Sequence, residues 1–189
     1  MYKLIPVDKH CVVEVNDFPL PTINVNEISF VESNNPFDLE DAKRLIYPYY
    51  EGKTPTEIEF IDIFQNEFIT KVLPLMRVHP LYSESLLSSV ADKNLSLSPI
   101  IAKDQVGWLQ HRHTDLPRLL LSGVVHITDC IEGTEFYDTD LGSEPVYIAP
   151  TKHRTGAFWL NSPTSFHQVS KVTLERNHFL FLLSIKDKQ

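Results

Sequence analysis

The sequence predicts an α+β chain, mainly β, whose core is a jelly roll or related barrel with supporting helices from the N-terminal half. Two observations carry this. Beyond about residue 95 the chain turns into short β-branched and aromatic runs broken by turn residues, the spacing of a sandwich or barrel. Before that point, the strongest periodic segment has apolar residues at helical spacing. A length of 189 residues suits one domain with a sizeable core. We read 1–95 as supporting strands and helices, and 96–189 as the β core that carries the candidate site.

Cys11 to Val15 is β-branched and predicts a strand. Phe18-Pro19-Leu20-Pro21 ends it, because proline cannot donate to a sheet ladder. Asn34-Asn35-Pro36 signals a turn. Asp38 to Ile46 predicts a helix, with acids at its start and Lys43 and Arg44 later, as the helix dipole favours. Thr56 to Met76 predicts the longest helix. Ile58, Phe60, Ile61, Phe64, Phe68, Ile69, Val72 and Leu73 fall near helical spacing, Thr54-Pro55-Thr56 with Glu57 marks its start, and Pro74 lies near its end. Ser83 to Val90 predicts a shorter helical stretch. Strands follow at Leu119 to Ile127, Thr134 to Tyr137, Val146 to Ile148, Gly156 to Leu160, Ser165 to Val172 and His178 to Ile185. The helices should pack on the outside of one sheet.

Composition narrows the function classes. With 42% hydrophobic and 22% charged residues the chain is an ordinary globular one. A net charge of −8 opposes nonspecific duplex binding, which relies on lysine and arginine neutralising phosphates. Nucleic acid is therefore a disfavoured partner. No apolar run approaches the roughly 18 residues that span a bilayer. Met1 to Asp8 lacks the apolar stretch of a secretory signal, so the cytoplasm is the default expectation. Cys11 and Cys130 then read as buried or free thiols, not as a disulfide framework.

Four residues in the second half carry chemistry. His113 and Asp115 flank Thr114, and residues two apart on a strand point to the same side. His167 lies in the later strand and can supply a third ligand. Two histidines and one carboxylate cover one face of an octahedral ion and leave the rest open, the arrangement of non-haem Fe(II) oxygenases. Arg176 opens the last strand, with His178, Leu180 and Leu182 on its face. A guanidinium inside a barrel needs an anion, and a dicarboxylate can pair with it bidentately. One His-x-Asp is common by chance; the order, strand context and spacing of the set carry the reading.

The stretch from about His113 to Ile185 resembles the catalytic core of the 2-oxoglutarate- and Fe(II)-dependent oxygenases, and is similar in particular to the prolyl-hydroxylase-like branch. The text that carries it is His113-Thr114-Asp115, the strand Leu119 to Ile127, Gly133 to Tyr137, Thr155 to Leu160, Phe166-His167-Gln168-Val169, and Arg176. The resemblance implies a double-stranded β-helix, the jelly-roll or cupin-like core. It implies His113, Asp115 and His167 as iron ligands and Arg176 as the anchor for the far carboxylate of 2-oxoglutarate. It further implies dioxygen as oxidant and hydroxylation of a small molecule, amino acid or peptide, with release of succinate and carbon dioxide. The chain departs from the family twice. His178 stands where a hydroxyl residue often follows the arginine, and His126 where a tyrosine often contacts the co-substrate. We therefore expect His126 to contact 2-oxoglutarate. Asp115 retains the carboxylate that halogenating relatives replace, which favours hydroxylation.

Other candidates have plainer readings. His111 is a solvated neighbour of the site or lines its mouth. Asp138 and Asp140 lead into Leu141-Gly142-Ser143 and read as a polar loop. His153 and Arg154 sit in a turn, and Trp108 and Trp159 read as core. Two rival classes remain: a cupin-like metal protein such as an isomerase or zinc hydrolase, and a silent binding module that kept the fold.

Overall fold

A computed structural model describes residues 1–33, 42–48, 51, 54–89, 95–115, 119–141 and 144–185. Twelve strands are described: β1 (Tyr2–Val7), β2 (His10–Val15), β3 (Val31–Glu32), β4 (Arg44–Tyr47), β5 (Leu95–Asp104), β6 (Gln110–His113), β7 (Leu121–His126), β8 (Thr134–Tyr137), β9 (Tyr147–Ile148), β10 (Gly156–Leu160), β11 (Phe166–Val169) and β12 (Arg176–Ile185). They form two antiparallel sheets. The larger runs β1-β2-β10-β7-β12-β5-β4-β3 and the smaller β6-β11-β8-β9. Early and late strands interleave, with β2 against β10 and β12 between β7 and β5. The expected mainly-β architecture with few helices is present. The N-terminal half does more than support it, because β1 and β2 extend one side of the large sheet and β3 and β4 the other.

The period of two sorts the large sheet into two faces. Phe179, Phe181 and Leu183 of β12, Leu121 and Val125 of β7, and Phe158 and Leu160 of β10 belong to one apolar cluster. Their alternates turn the other way. Val124, Ala157 and Trp159 meet Phe136 of β8 in a second, smaller cluster, with Phe136 and Trp159 edge to face at 5.3 Å. The small sheet therefore covers one face and the helices the other. Gly123 belongs to the first face. A Cβ there would lie 2.2 Å from the Phe158 ring, so only glycine lets that ring lie across β7.

The helical face is built by α1 (Pro55–Glu67), a π-turn over Phe68–Val72 and α2 (Leu73–Arg77). The Thr54 hydroxyl accepts from the Glu57 amide, the Glu57 carboxylate accepts from the Thr54 amide, and Pro55 occupies the first turn. This capping box satisfies donors that would otherwise be orphaned. Phe60, Phe64 and Phe68 are buried beneath it, and Phe64 stacks on Phe181 at 3.8 Å. The π-turn precedes Pro74, whose ring excludes the carbonyl one α-turn back; here the Leu73 amide donates to Phe68 five residues earlier. Over the predicted stretch from Ser83, a short α3 (Pro80–Glu84) is followed by a 3-10 turn at Leu86–Ser89.

One element differs from expectation. Arg44–Tyr47 is a strand, not the end of a helix; the turn at Asn34-Asn35-Pro36 and residues 38–41 lie outside the described residues. Pairing decides it. Arg44 lies opposite Asp104 and Ile46 opposite Ala102, and Tyr47 precedes Pro48, which disfavours helical backbone. The long β5 was not singled out in the sequence because Ser96, Ser98 and Pro99 break its apolar pattern. Pro99 is tolerated because it lies beyond the last β4 partner, where its missing N–H interrupts no ladder.

Candidate metal centre

His113 ends β6, and His167 of β11 is its direct cross-strand partner. Pairing brings the two rings to 4.4 Å between centroids. Asp115 lies two residues past β6, not on it, and its carboxylate Oδ1 stands 3.6 Å from the Nε2 of each histidine. The three ligand atoms lie within 4.8 Å of one another. Among the described residues this is the one group of histidine, cysteine or carboxylate ligands so clustered.

The surrounding hydrogen bonds prepare these atoms. His113 Nδ1 lies 2.8 Å from the His111 carbonyl and His167 Nδ1 lies 3.0 Å from the Ser165 carbonyl. A carbonyl only accepts, so each Nδ1 carries the proton and each Nε2 keeps its lone pair. The Gln110 amide donates to His113 Nε2 at 3.2 Å, consistent with that tautomer. The Ser122 hydroxyl donates to Asp115 Oδ2 at 2.6 Å and accepts from Asn161 at 3.0 Å. One carboxylate oxygen is thereby tied down and the other faces the histidines. Burial pushes the Asp115 carboxyl up, but His113 and His167, when their rings are protonated, and the Ser122 hydroxyl outweigh it and hold it well below the usual carboxylate range. Two imidazole lone pairs and an ionised carboxylate fit a borderline divalent metal.

Asp115 and His167 line a cavity of about 160 Å³ shared with Ser122, Val124, Leu180 and Arg176. Arg176 is wholly buried. The anion anticipated for it is partly supplied by the protein itself. Asp104, its partner on β5, accepts from Nη1 at 2.9 Å, while Nε and Nη2 have no partner. Asp104 also receives Arg44 bidentately, at 2.6 and 3.0 Å. Arg44 lies over the Trp108 ring at 4.1 Å and lines the same cavity.

His126 is on β7, within the large sheet. It shares a face with Ser122 and Val124 but is not among the residues lining the cavity. Its Nδ1 is 3.3 Å from the Cys130 thiol, and its ring meets His178, its cross-strand partner, at 6.1 Å. Burial and the nearby Arg176 charge pull its pKa down to about 3. The two departures from the family pattern are thus neighbours. Burial and the Arg176 charge likewise hold His178 well below its ordinary value, against the opposing pull of the Arg176 backbone.

The remaining candidates fall where the plainer readings put them. His111 is exposed, and His153 caps the Ile127 carbonyl from an exposed turn. Trp108 is core, while Trp159 is both core and cavity wall. Ser122, Asn161, Arg44 and Asp104 were missed. A serine on the inward face of β7 is the one signal that pointed to any of them.

No family model matches the sequence, and no curated protein matches it. The architecture does have a counterpart. The fold is shared with a prolyl-4-hydroxylase. That protein, from Pseudomonas putida, aligns with a TM-score of 0.54 at 11% identity over 84% of this chain and 79% of its own. An oxidoreductase of the 2OG-Fe(II) oxygenase family from Burkholderia pseudomallei aligns at 0.49, with 16% identity over 76% and 67%. A viral collagen prolyl hydroxylase from Paramecium bursaria Chlorella virus-1, in its 2OG complex, aligns at 0.47, with 16% identity over 76% and 78%. At such identities the likeness is one of fold.

Proposed function

We propose that this chain is a non-haem Fe(II)- and 2-oxoglutarate-dependent oxygenase, built on a double-stranded β-helix, that hydroxylates a C–H bond of a small molecule, amino acid or peptide. The observation that carries the reading is the pairing of two features at one cavity. Asp115 and His167, which cluster with His113 in a His-Asp-His donor set, line it together with a buried guanidinium, two of whose nitrogens have no hydrogen-bond partner.

Bound iron would supply the site at which dioxygen is activated, coupled to conversion of 2-oxoglutarate to succinate and carbon dioxide. The chain's own residues do the rest. His113 and His167 offer Nε2 and Asp115 offers Oδ1. Ser122, held by Asn161, keeps the carboxylate turned inward. Arg176 directs Nε and Nη2 toward the far carboxylate of 2-oxoglutarate, an interaction strengthened by exclusion of water. Val124, Leu180, Leu182 and Trp159 line the cavity and keep it apolar between the charged groups. His126, a neutral ring beside Cys130 and His178, leaves the nearby guanidinium charge intact.

The deciding experiment measures succinate release and metal-dependent thermal stabilisation in the wild type and in His113→Ala. The wild type should form succinate only with Fe(II) and 2-oxoglutarate together, and should be stabilised by Fe(II) under anaerobic conditions. His113→Ala should lose both properties and keep its fold. Normal turnover or metal stabilisation in that variant would sink the assignment.

A further inference from the structure

Arg176 shares its carboxylate partner with a second arginine. Arg44 and Arg176 are both buried and both bind Asp104, which is wholly buried and carries one negative charge. Arg44 takes it with two hydrogen bonds, through Nε to Oδ1 and Nη2 to Oδ2. Arg176 takes only the second lone pair of Oδ2. His178, at 3.9 Å from the same oxygen, is held neutral by its burial and these cations. The three side chains therefore carry a surplus of one positive charge. Two unpartnered nitrogens of Arg176 belong to it, and both arginines line the cavity.

We propose that Arg44 sets the anion affinity of the cavity: by neutralising Asp104, it leaves the charge of Arg176 uncompensated and available to a small dicarboxylate. Arg44 is then a positioning residue that acts through Asp104. Without it, Asp104 and Arg176 would form a neutral pair that offers an anion little. The device also explains what the N-terminal half contributes to the site, since Arg44 opens β4 and lies directly opposite Asp104. The identity of the anion as 2-oxoglutarate rests on the function proposed above; the charge balance does not.

The test counts charges. Binding of 2-oxoglutarate and of succinate is measured by calorimetry on metal-free protein, with far-ultraviolet circular dichroism as a check on the fold. Arg44→Gln should weaken both ligands by about tenfold or more, the order expected for removing a unit charge from a water-poor site. Arg44→Lys keeps the charge but not the bidentate fork or the packing on Trp108, and should bind more tightly than Arg44→Gln and more weakly than wild type. The double variant Arg44→Gln/Asp104→Asn removes one charge of each sign, restores the surplus, and should recover binding. Asp104→Asn alone should bind at least as tightly as wild type, which supplies a second readout if Arg44→Gln folds poorly. A purely structural role predicts the reverse, with the double variant weaker than either single one. Wild-type affinity in Arg44→Gln, no recovery in the double variant, or a wild type that binds neither anion overturns the proposal. Anion binding that follows the charge count without succinate formation on adding Fe(II) would leave this inference standing and remove the oxygenase reading.

Discussion

The two faces of the large sheet use the same strands for opposite ends. On β12, Phe179, Phe181 and Leu183 meet the helical layer, while Arg176, Leu180 and Leu182 line the cavity. On β7, Leu121 and Val125 face the helices, while Ser122 and Val124 face the metal ligands. The helical face is aromatic and dry, so it gains the full hydrophobic contribution. The cavity face holds charges and orphaned polar atoms, which cost stability unless a ligand arrives. Each strand thus spends alternate residues on holding the fold and on binding.

Four substitutions or conditions test that division, in falling order of effect. Phe64→Ala should destabilise the fold by about 3–5 kcal/mol, since it empties a stacked aromatic site. Ligand affinity per folded molecule should be unchanged, and a selective loss of affinity would break the division. On the opposite face, Arg176→Met should weaken 2-oxoglutarate by about 2–5 kcal/mol, read as a raised KM. The fold should survive because Arg44 still pairs with Asp104; collapse would assign Arg176 to the scaffold instead.

Acid should act from the cavity side. His126 titrates near 3 in the folded chain and His178 well below its ordinary value, against about 6.5 when unfolded. The unfolded chain therefore binds protons first. Stability is full above about pH 6.5 and falls with acid, by up to about 2 kcal/mol for each histidine between pH 6.5 and 5. Melting temperatures between pH 7 and 5 should fall less steeply in His126→Phe than in wild type, and equal slopes would count against a buried neutral ring. Smallest of all, Thr54→Ala removes one half of the capping box and should cost about 1 kcal/mol without touching ligand binding.

Much of this was readable in the sequence, for physical reasons that can be named. The α1 face, the capping box and most of the late strands follow local rules of spacing and turn chemistry. So do His113, Asp115 and His167 as a candidate set, although Asp115 proves to reach back from beyond its strand. What escaped was non-local. Arg44 looks like the basic end of a helix until Asp104 lies opposite it. Ser122 reaches Asp115 only when β7 meets the segment after β6, and Asn161 reaches Ser122 only when β7 and β10 pair. His126 shares the inward face its spacing implies, but the strand carries it past the cavity to Cys130 and His178.

The strand order has a consequence for how the chain comes to be folded at all. β12 lies between β7 and β5 in the large sheet, yet it is made after both. During synthesis those two strands emerge with no shared neighbour and with apolar rows exposed to solvent. β2 waits equally for β10. Pairings between such distant segments are slow to form and leave edges open to other chains meanwhile. Folding should therefore complete only once residues 176–185 are released from the ribosome, and a chain stalled before that point should be a target for chaperones or a seed for aggregation.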